Sequence, residues 1–451
     1  MKVLLVLASA LIVCVSNTVG YNYKEVIQKS LLFYEAQRSG KLPSDQRVTW
    51  RHDSAMNDKG VHGEDLTGGY YDAGDFIKFG FQMSFTVTVL AWGLLDHYKG
   101  YEAADSVENT RKAIKWGTDY FLKAHVSENV FYAQVGSGWI DHINYWGRPE
   151  DMTEPRPAYM INVTNPGSDL AGETAAALAA SYLVFKDVNS TYADILLTHA
   201  KQLYSFGYKY RGKYTDAFDD VRCCYNSSGY EDELVWGAAW LYRATNDSTY
   251  LQYIADVYTP IQYYIGFNWD QKIGGADVLL AKLTGESKYL TKMENYCDNM
   301  LANQQRTPKG LIFIAEWGSL MTTAYLMEIC LETAALGVNA AKYQAEAKKQ
   351  INYMLGDTGF SYVVGFGDKY PLRVSHRAAS CPDPPAKCDW TQYSSPDPNP
   401  QVLTGALVGG PGVNDDYEDV RADYVHNEVD TVYNAGFQGV LATLIELGYS
   451  D

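Results

Sequence analysis

The sequence predicts an all-α fold, a toroid of antiparallel α/α pairs with long functional loops at one end. Three observations carry this. Apolar residues recur at helical spacing in twelve windows. Several links between windows, such as Lys186 to Ser190 and Thr245 to Asp247, are short enough to force antiparallel neighbours. Three long stretches, 39–80, 126–169 and 356–429, interrupt the helices and are rich in Gly, Pro, Asp and aromatic residues. Loops this long in a compact domain are functional or disordered, and their aromatic content argues against disorder.

The helical windows run over 23–37, 81–97, 106–125, 170–186, 190–206, 231–245, 247–265, 275–284, 286–304, 317–335, 338–355 and 430–448. Ser168-Asp169, Asn189-Ser190 and Asn246-Asp247 offer side-chain acceptors for first-turn N–H groups. Gly266, Gly285, Gly337 and Gly356 stand just past proposed ends, where a left-handed residue closes a helix. No linker or compositional break follows residue 20, so 21–451 reads as a single domain; a monomer is the separate expectation.

Before it, "MKVLLVLASALIVCVSNTVG" has one early cation, Lys2, and an apolar run too short to span a bilayer. It reads as a secretory signal peptide over 1–20, cut between residues 16 and 20, which implies a secreted, extracellular protein. Sequons at Asn162, Asn189, Asn226 and Asn246 agree with secretion. Removing Cys14 leaves six cysteines and many possible pairings. Cys381 and Cys388 bracket the loop "CPDPPAKC" and could close it, whereas adjacent Cys223 and Cys224 cannot easily bond each other. The 451-residue chain is 47% hydrophobic, enough for a large core. Its net charge of -17 argues against nucleic acid and anionic membranes as partners. The 37 tyrosines and 10 tryptophans suit the C–H faces and hydroxyl edges of sugars, although many such rings simply fill a core of this size.

The first long loop contains "GGYYDAGDFIKFG", with Asp72 and Asp75 three residues apart between glycines. The last runs through "VNDDYEDVRADYVHNEVDTVYNAGF" into the final helix. Taken singly, an Asp beside Gly is an ordinary turn former and an acidic run a solvated face. Taken together, carboxylates from opposite ends of the chain in an aromatic setting match what glycoside cleavage needs. One acid protonates the leaving oxygen and one base activates water.

Five stretches, "YYDAGDFIKFGFQM", "VGSGWIDHINYWGRPEDM", "YNSSGYEDELVWGAAWLYRAT", "SYVVGFGDKYPLRVSHRAAS" and "DYEDVRADYVHNEVDTVYNA", resemble in order the signatures of glycoside hydrolase family nine. The likeness spans nearly the whole chain after the signal and is strongest to the secreted endoglucanases of termites and other insects. It implies an (α/α)6 barrel and inverting hydrolysis of β-1,4-glucan, with no organic cofactor. It also implies that Asp75 is the general base and Asp72 its partner. Two such close acids must have hydrogen bonds if both are to ionise. Glu428 matches the general acid, to be kept protonated by apolar surroundings and by nearby Asp charge. His376 and Arg377 match an element that touches substrate hydroxyls. The usual pattern there is His-His-Arg, and this chain has Ser375 in first place. Asp419 matches a second acid that orients the site. Asp430 stands where a small residue is usual. His142, Tyr225, Trp317 and Tyr433 match the sugar platform, with Trp139 and Trp146 as further aromatic candidates.

Ser228, Gly229, Asp232, Glu233 and Asp270 are hard oxygen donors on a loop entering a helix, and they match a structural calcium site. An acid pair at a helix start is the plainer reading of the same residues. Two further possibilities are a same-fold glycosidase acting on xylan or mixed-linkage glucan, and a secreted sugar-binding protein without activity. Retention of Asp72, Asp75 and Glu428 together opposes the last.

Overall fold

The structure, a computed structural model, describes residues 20–258 and 266–450. Residues 1–19 of the predicted signal peptide and the last part of the predicted 247–265 helix lie outside the described residues. Twelve helices of nine residues or more are present among the described residues. They are α1 (Tyr23–Ala36), α2 (Gly80–Asp96), α3 (Val107–Ala124), α4 (Ser168–Phe185), α5 (Ser190–Lys209), α6 (Glu231–Thr245), α7 (Thr249–Val257), α8 (Ile273–Thr284), α9 (Ser287–Asn303), α10 (Ser319–Ala335), α11 (Ala340–Asn352) and α12 (Thr431–Glu446). Each starts within a few residues of its predicted window.

The even-numbered helices form a closed inner ring: α2 packs on α4, α4 on α6, α6 on α8, α8 on α10, α10 on α12 and α12 back on α2. The odd-numbered helices lie outside it. The sequence separates the two sets. Inner helices such as α4, "SDLAGETAAALAASYLVF", are apolar or small nearly all round and are buried along almost their whole length. Outer helices such as α3 and α9 bury one stripe and expose Lys, Glu and Asp on the other. Asn189 caps α5 through the Tyr192 N–H, as its sequence suggests. Asn246 instead ends α6 in the left-handed region, where Asn is well tolerated. Ser168 lies inside α4, behind Gly167. Gly285 and Gly337 have the positive φ expected past a helix end, whereas Gly356 sits inside a π-turn that prolongs α11. Cys297–Cys330 joins α9 to α10, and Cys381–Cys388 closes the proline-rich loop.

The loops carry what helical periodicity does not predict. A small antiparallel sheet is built from β1 (Lys78–Phe79), β2 (His125–Ser127), β3 (Val130–Val135) and β4 (Ala158–Ile161), with β3 pairing with all three others. Its central strand, "VFYAQV", is β-branched and aromatic. Register pairs of Lys78 with Val135 and Phe79 with Gln134 tie the first long loop to the second. Lys78 is buried in an ion pair with Asp58 at 2.7 Å, and Asp58 also pairs with Arg156 at 2.6 Å. The acid-bearing loop is thereby anchored before α2 begins.

Candidate active site

The segment Tyr71–Asp75 turns tightly at the mouth of the helical ring. Gln37, just past α1, donates to the Ala73 carbonyl at 2.6 Å and reaches those of Tyr71 and Asp72 at 3.3 Å. Gly74 packs directly on the backbone of the 375–377 segment, and a Cβ there would lie 2.1 Å from the Ser375 carbonyl oxygen. This explains the glycine between the two acids: no side chain fits where the two loops meet. The Arg377 N–H donates to the Gly74 carbonyl at 3.1 Å and locks that contact.

Asp72 and Asp75 receive different surroundings. Asp75 Oδ2 pairs with His142 Nε2 at 2.9 Å, and its Oδ1 accepts from the Ile77 N–H at 3.1 Å. Burial opposes its ionisation, but the His142 hydrogen bond and charge, with Arg377, hold its carboxyl below the usual range. His142 responds in kind. Burial disfavours its charge, yet Asp75 and Asp141 push it up to about 9. Asp72 accepts from the Tyr225 hydroxyl. Burial first, then the charges of Asp430 and Asp75, drive its carboxyl well above the usual range. The close pair is thus split into one readily ionised member and one resistant to ionisation.

Across the cleft, Glu428 Oε2 accepts from Trp317 Nε1 at 2.9 Å. Burial, followed by the Asp430 charge, pushes Glu428 up to about 8. Asp430 caps α12, its Oδ1 accepting from the Val432 N–H at 2.7 Å, and its Oδ2 lies 3.1 Å from the Tyr225 hydroxyl. Burial pushes Asp430 itself up to about 7. Asp75, Glu428, Asp430, His142, Tyr225 and Arg377 all line a cleft of about 640 Å³. Trp317, Tyr433 and Trp146 also face it, together with Trp269, Trp390, Tyr393 and Tyr424. Trp139 is 58% exposed and lies outside that lining.

Two of the matched residues lie away from the cleft, and for His376 the expected contact with substrate needs correction. His376 does not reach the cleft and is only 2% exposed. Its Nδ1 accepts from the Ala379 N–H at 3.0 Å, so Nε2 donates to Gln37 Oε1 at 2.8 Å. Burial, with the Arg51 charge, lowers it to about 3, so it stays neutral. It supports the glutamine that holds the Asp72 loop, and the neighbouring place on the cleft belongs to Ser375. Asp419 is likewise outside the cleft lining. It accepts from the Leu372 and Arg373 N–H groups at 2.9 and 2.8 Å and positions the segment leading to Arg377.

Asp141, like Gln37, is a residue that sequence reading missed. It is buried and pairs with the Arg377 guanidinium. Its position beside His142 in "WIDHIN" was the available signal. Asp75, Asp141 and His142 form the one group among the described residues whose His, Cys, Asp or Glu ligand atoms number three or more within 4.8 Å of one another. With Arg377 on Asp141 and His142 raised toward its cationic form, this group is neutralised internally by hydrogen-bonded cations.

The predicted calcium donors stand near one another at the start of α6. The Ser228 N–H donates to Asp270 Oδ1 at 2.8 Å, and Asp232 Oδ2 accepts from the Lys272 N–H at 2.7 Å. Buried Lys272 lies 2.9 Å from Glu233 Oε1 and 3.7 Å from Glu173 Oε2. Glu233 Oε2 is buried in an acid-rich setting with no hydrogen-bond partner among the described residues. The acid oxygens of Asp232, Glu233 and Asp270 do not gather within 4.8 Å of one another, and Lys272 stands among the acids, so the donors are neighbours that a hard cation would have to draw together.

A ring of paired helices, opened at one end by an aromatic cleft with divergent carboxyl groups, defines a carbohydrate-cleaving hydrolase of the (α/α)6 class. The chain belongs to glycosyl hydrolase family 9, whose profile matches residues 23–441. The structure of an endoglucanase from the termite Nasutitermes takasagoensis superposes with a TM-score of 0.93 at 58% identity, covering 95% of this chain and 99% of that one. A cellulase of C. cellulolyticum in complex with cellobiose superposes at 0.89 with 33% identity, covering 95% and 99%. Endoglucanase 15 of Arabidopsis thaliana is 44% identical over 473 residues, 96% of this chain and 95% of its own length. The protein is a glycoside hydrolase of the cellulase type.

Proposed function

We propose that this enzyme is a secreted endo-β-1,4-glucanase that cleaves internal bonds of cellulose in one inverting step. Asp75 is the general base and Glu428 the general acid. The observation that carries the assignment is the opposite displacement of these two carboxyls, one below its usual range and one up to about 8. In neutral solution Asp75 accepts a proton from water and Glu428 donates one to the departing oxygen. Asp72 is buried just behind the cleft lining, held by Tyr225 through Oδ2 with its Oδ1 unpartnered among the described residues, and on this reading it would need to turn that oxygen into the cleft to share the water. His142 keeps Asp75 ionised and aimed. Trp317, Tyr225, Tyr433 and Arg377 supply rings and a cation for the glucan, and the other cleft aromatics extend the platform. Relatives named endoglucanase and a bound cellobiose in one related cellulase support β-1,4-glucan as the substrate.

The mechanism predicts the product. Water attacking opposite the leaving group converts a β-linkage into an α-anomer, whereas a carboxylate nucleophile would return the β-anomer. Proton NMR of the anomeric region in the first minutes of hydrolysis should show α first. An initial β signal would sink the assignment of Asp75. Reducing-sugar release should be greater from carboxymethyl cellulose than from xylan, and the reverse would redirect the substrate. A structural calcium held by Ser228, Gly229, Asp232, Glu233 and Asp270 belongs to the same proposal, outside the acid–base pair. It is supported by the unpartnered Glu233 Oε2.

A further inference from the structure

Four of the six cysteines among the described residues are paired. The remaining two, Cys223 and Cys224, are neighbours at the end of a 3-10 turn, and both line the cleft. The sequence argues that adjacent cysteines do not easily bond, and these two are unbonded in the structure, yet their sulfurs are 2.6 Å apart, well inside the spacing of two non-bonded sulfur atoms. They are also closely backed. A Cβ on Gly138 would lie 2.2 Å from Cys223 Sγ, so only glycine fits opposite the pair. On the other side Cys224 Sγ lies 3.9 Å from His142 Nδ1, the ring whose Nε2 holds Asp75. The next residue is Tyr225, whose hydroxyl reaches Asp72 and Asp430. The pair thus stands between the two groups that set the cleft carboxylates.

We propose that Cys223 and Cys224 close a vicinal disulfide that walls the cleft beside His142 and braces the imidazole against Asp75. Two thiols give up two protons and two electrons to a small dissolved disulfide, such as oxidised glutathione, which leaves as two thiols while the sulfur–sulfur bond forms. The two bridges already present show a chain built for an oxidising compartment. A ring across a single peptide is strained, so it should be reduced before the other two bridges. The bracing role rests on Asp75 being the base; the bond itself does not.

Mass spectrometry of an unreduced digest tests the bond. The peptide containing residues 223 and 224 should be lighter by two hydrogens than its reduced form. It should take up iodoacetamide only after mild reductant, while Cys297–Cys330 and Cys381–Cys388 stay closed. Alkylation of both thiols without reductant, or a mixed disulfide with glutathione, would overturn it. The bracing is read from kcat/KM against pH. Mild reduction of the parent should lower the rate several-fold and move the acid limb upward, because a looser His142 stabilises ionised Asp75 less. The Cys223→Ser/Cys224→Ser variant should match the reduced parent and ignore reductant. Identical rates and limbs before and after reduction would overturn the bracing. If Asp75→Asn stays active, the assignment of the base fails, while the mass result still decides the bond.

Discussion

Asp75 and Glu428 carry the same functional group, and their neighbours push them in opposite directions. Under the proposed assignment the enzyme works while Asp75 is ionised and Glu428 is protonated. Activity is therefore lost as pH falls through the depressed Asp75 value, and lost again as pH rises through about 8. A kcat/KM profile with its alkaline limb at the usual carboxylate range would show that Glu428 is not the proton donor. Substitution separates the roles further. Asp75→Asn and Glu428→Gln should each cost about 10²–10⁴-fold on cellulose. An aryl glycoside with a good leaving group needs little protonation, so Glu428→Gln should recover much of its activity there and Asp75→Asn should not. Equal losses on both substrates would undo the division. The carboxyls to which this chemistry is assigned stand out in the sequence because they sit in long ordered motifs. Gln37 and Asp141 do not. Each acts through a neighbour, Gln37 on the Tyr71–Ala73 carbonyls and Asp141 on Arg377; such contacts leave no pattern of their own, and only the adjacency of Asp141 to His142 hinted at one of them. His376 was legible as a motif residue but not in its role, since burial is a property of the assembled loops.

Helices were readable because each presents one apolar stripe or is apolar throughout, and capping residues such as Asn189 mark their ends. The small sheet was hidden because β3 is one short strand inside a loop, with one partner just before it, another about 55 residues earlier and a third about 25 residues later. How the ring is held at its far end was equally hidden. His97, just past α2, pairs with Glu332 of α10 at 2.8 Å and with Glu446 of α12 at 3.2 Å, linking three inner helices. Burial disfavours its charge, but these two carboxylates raise it from 6.5 to about 10. A raised cationic group stabilises the folded state in full below its unfolded value and ceases to do so as pH rises through its folded value. His97→Leu should therefore lower stability most at pH 6 and below. The cost should be about 3–5 kcal/mol, since Glu332 is left buried without its partner. The difference from the parent should shrink as pH approaches 10. Chemical denaturation at several pH values measures this, and a pH-independent difference would show that His97 acts by packing alone.

At the scale of the whole molecule, the inner ring closes through contacts between successive even-numbered helices, and α6 is one of its links. The predicted calcium donors stand where α6 begins, and Asp270 reaches them from the segment before α8. A cation there would tie α6 to α8 at the cleft end of the ring, and Lys272 alone leaves Glu233 Oε2 unpartnered. Because the ligand set forms only when both helices are in place, binding would favour the folded state by mass action, by about 2.7 kcal/mol at a hundredfold excess over Kd. Chelator should lower the melting temperature by several degrees, and calcium should restore it. Magnesium should restore it less, because magnesium demands a tighter octahedral shell and dehydrates reluctantly. Glu233→Gln should melt lower than the parent in calcium and lose its response to chelator. Because the donors lie outside the acid–base pair, chelated enzyme that is still folded should keep most of its kcat. A melting curve indifferent to chelator, with no calcium in metal analysis of the purified enzyme, would mean that Lys272 is the only cation this cluster of acids holds.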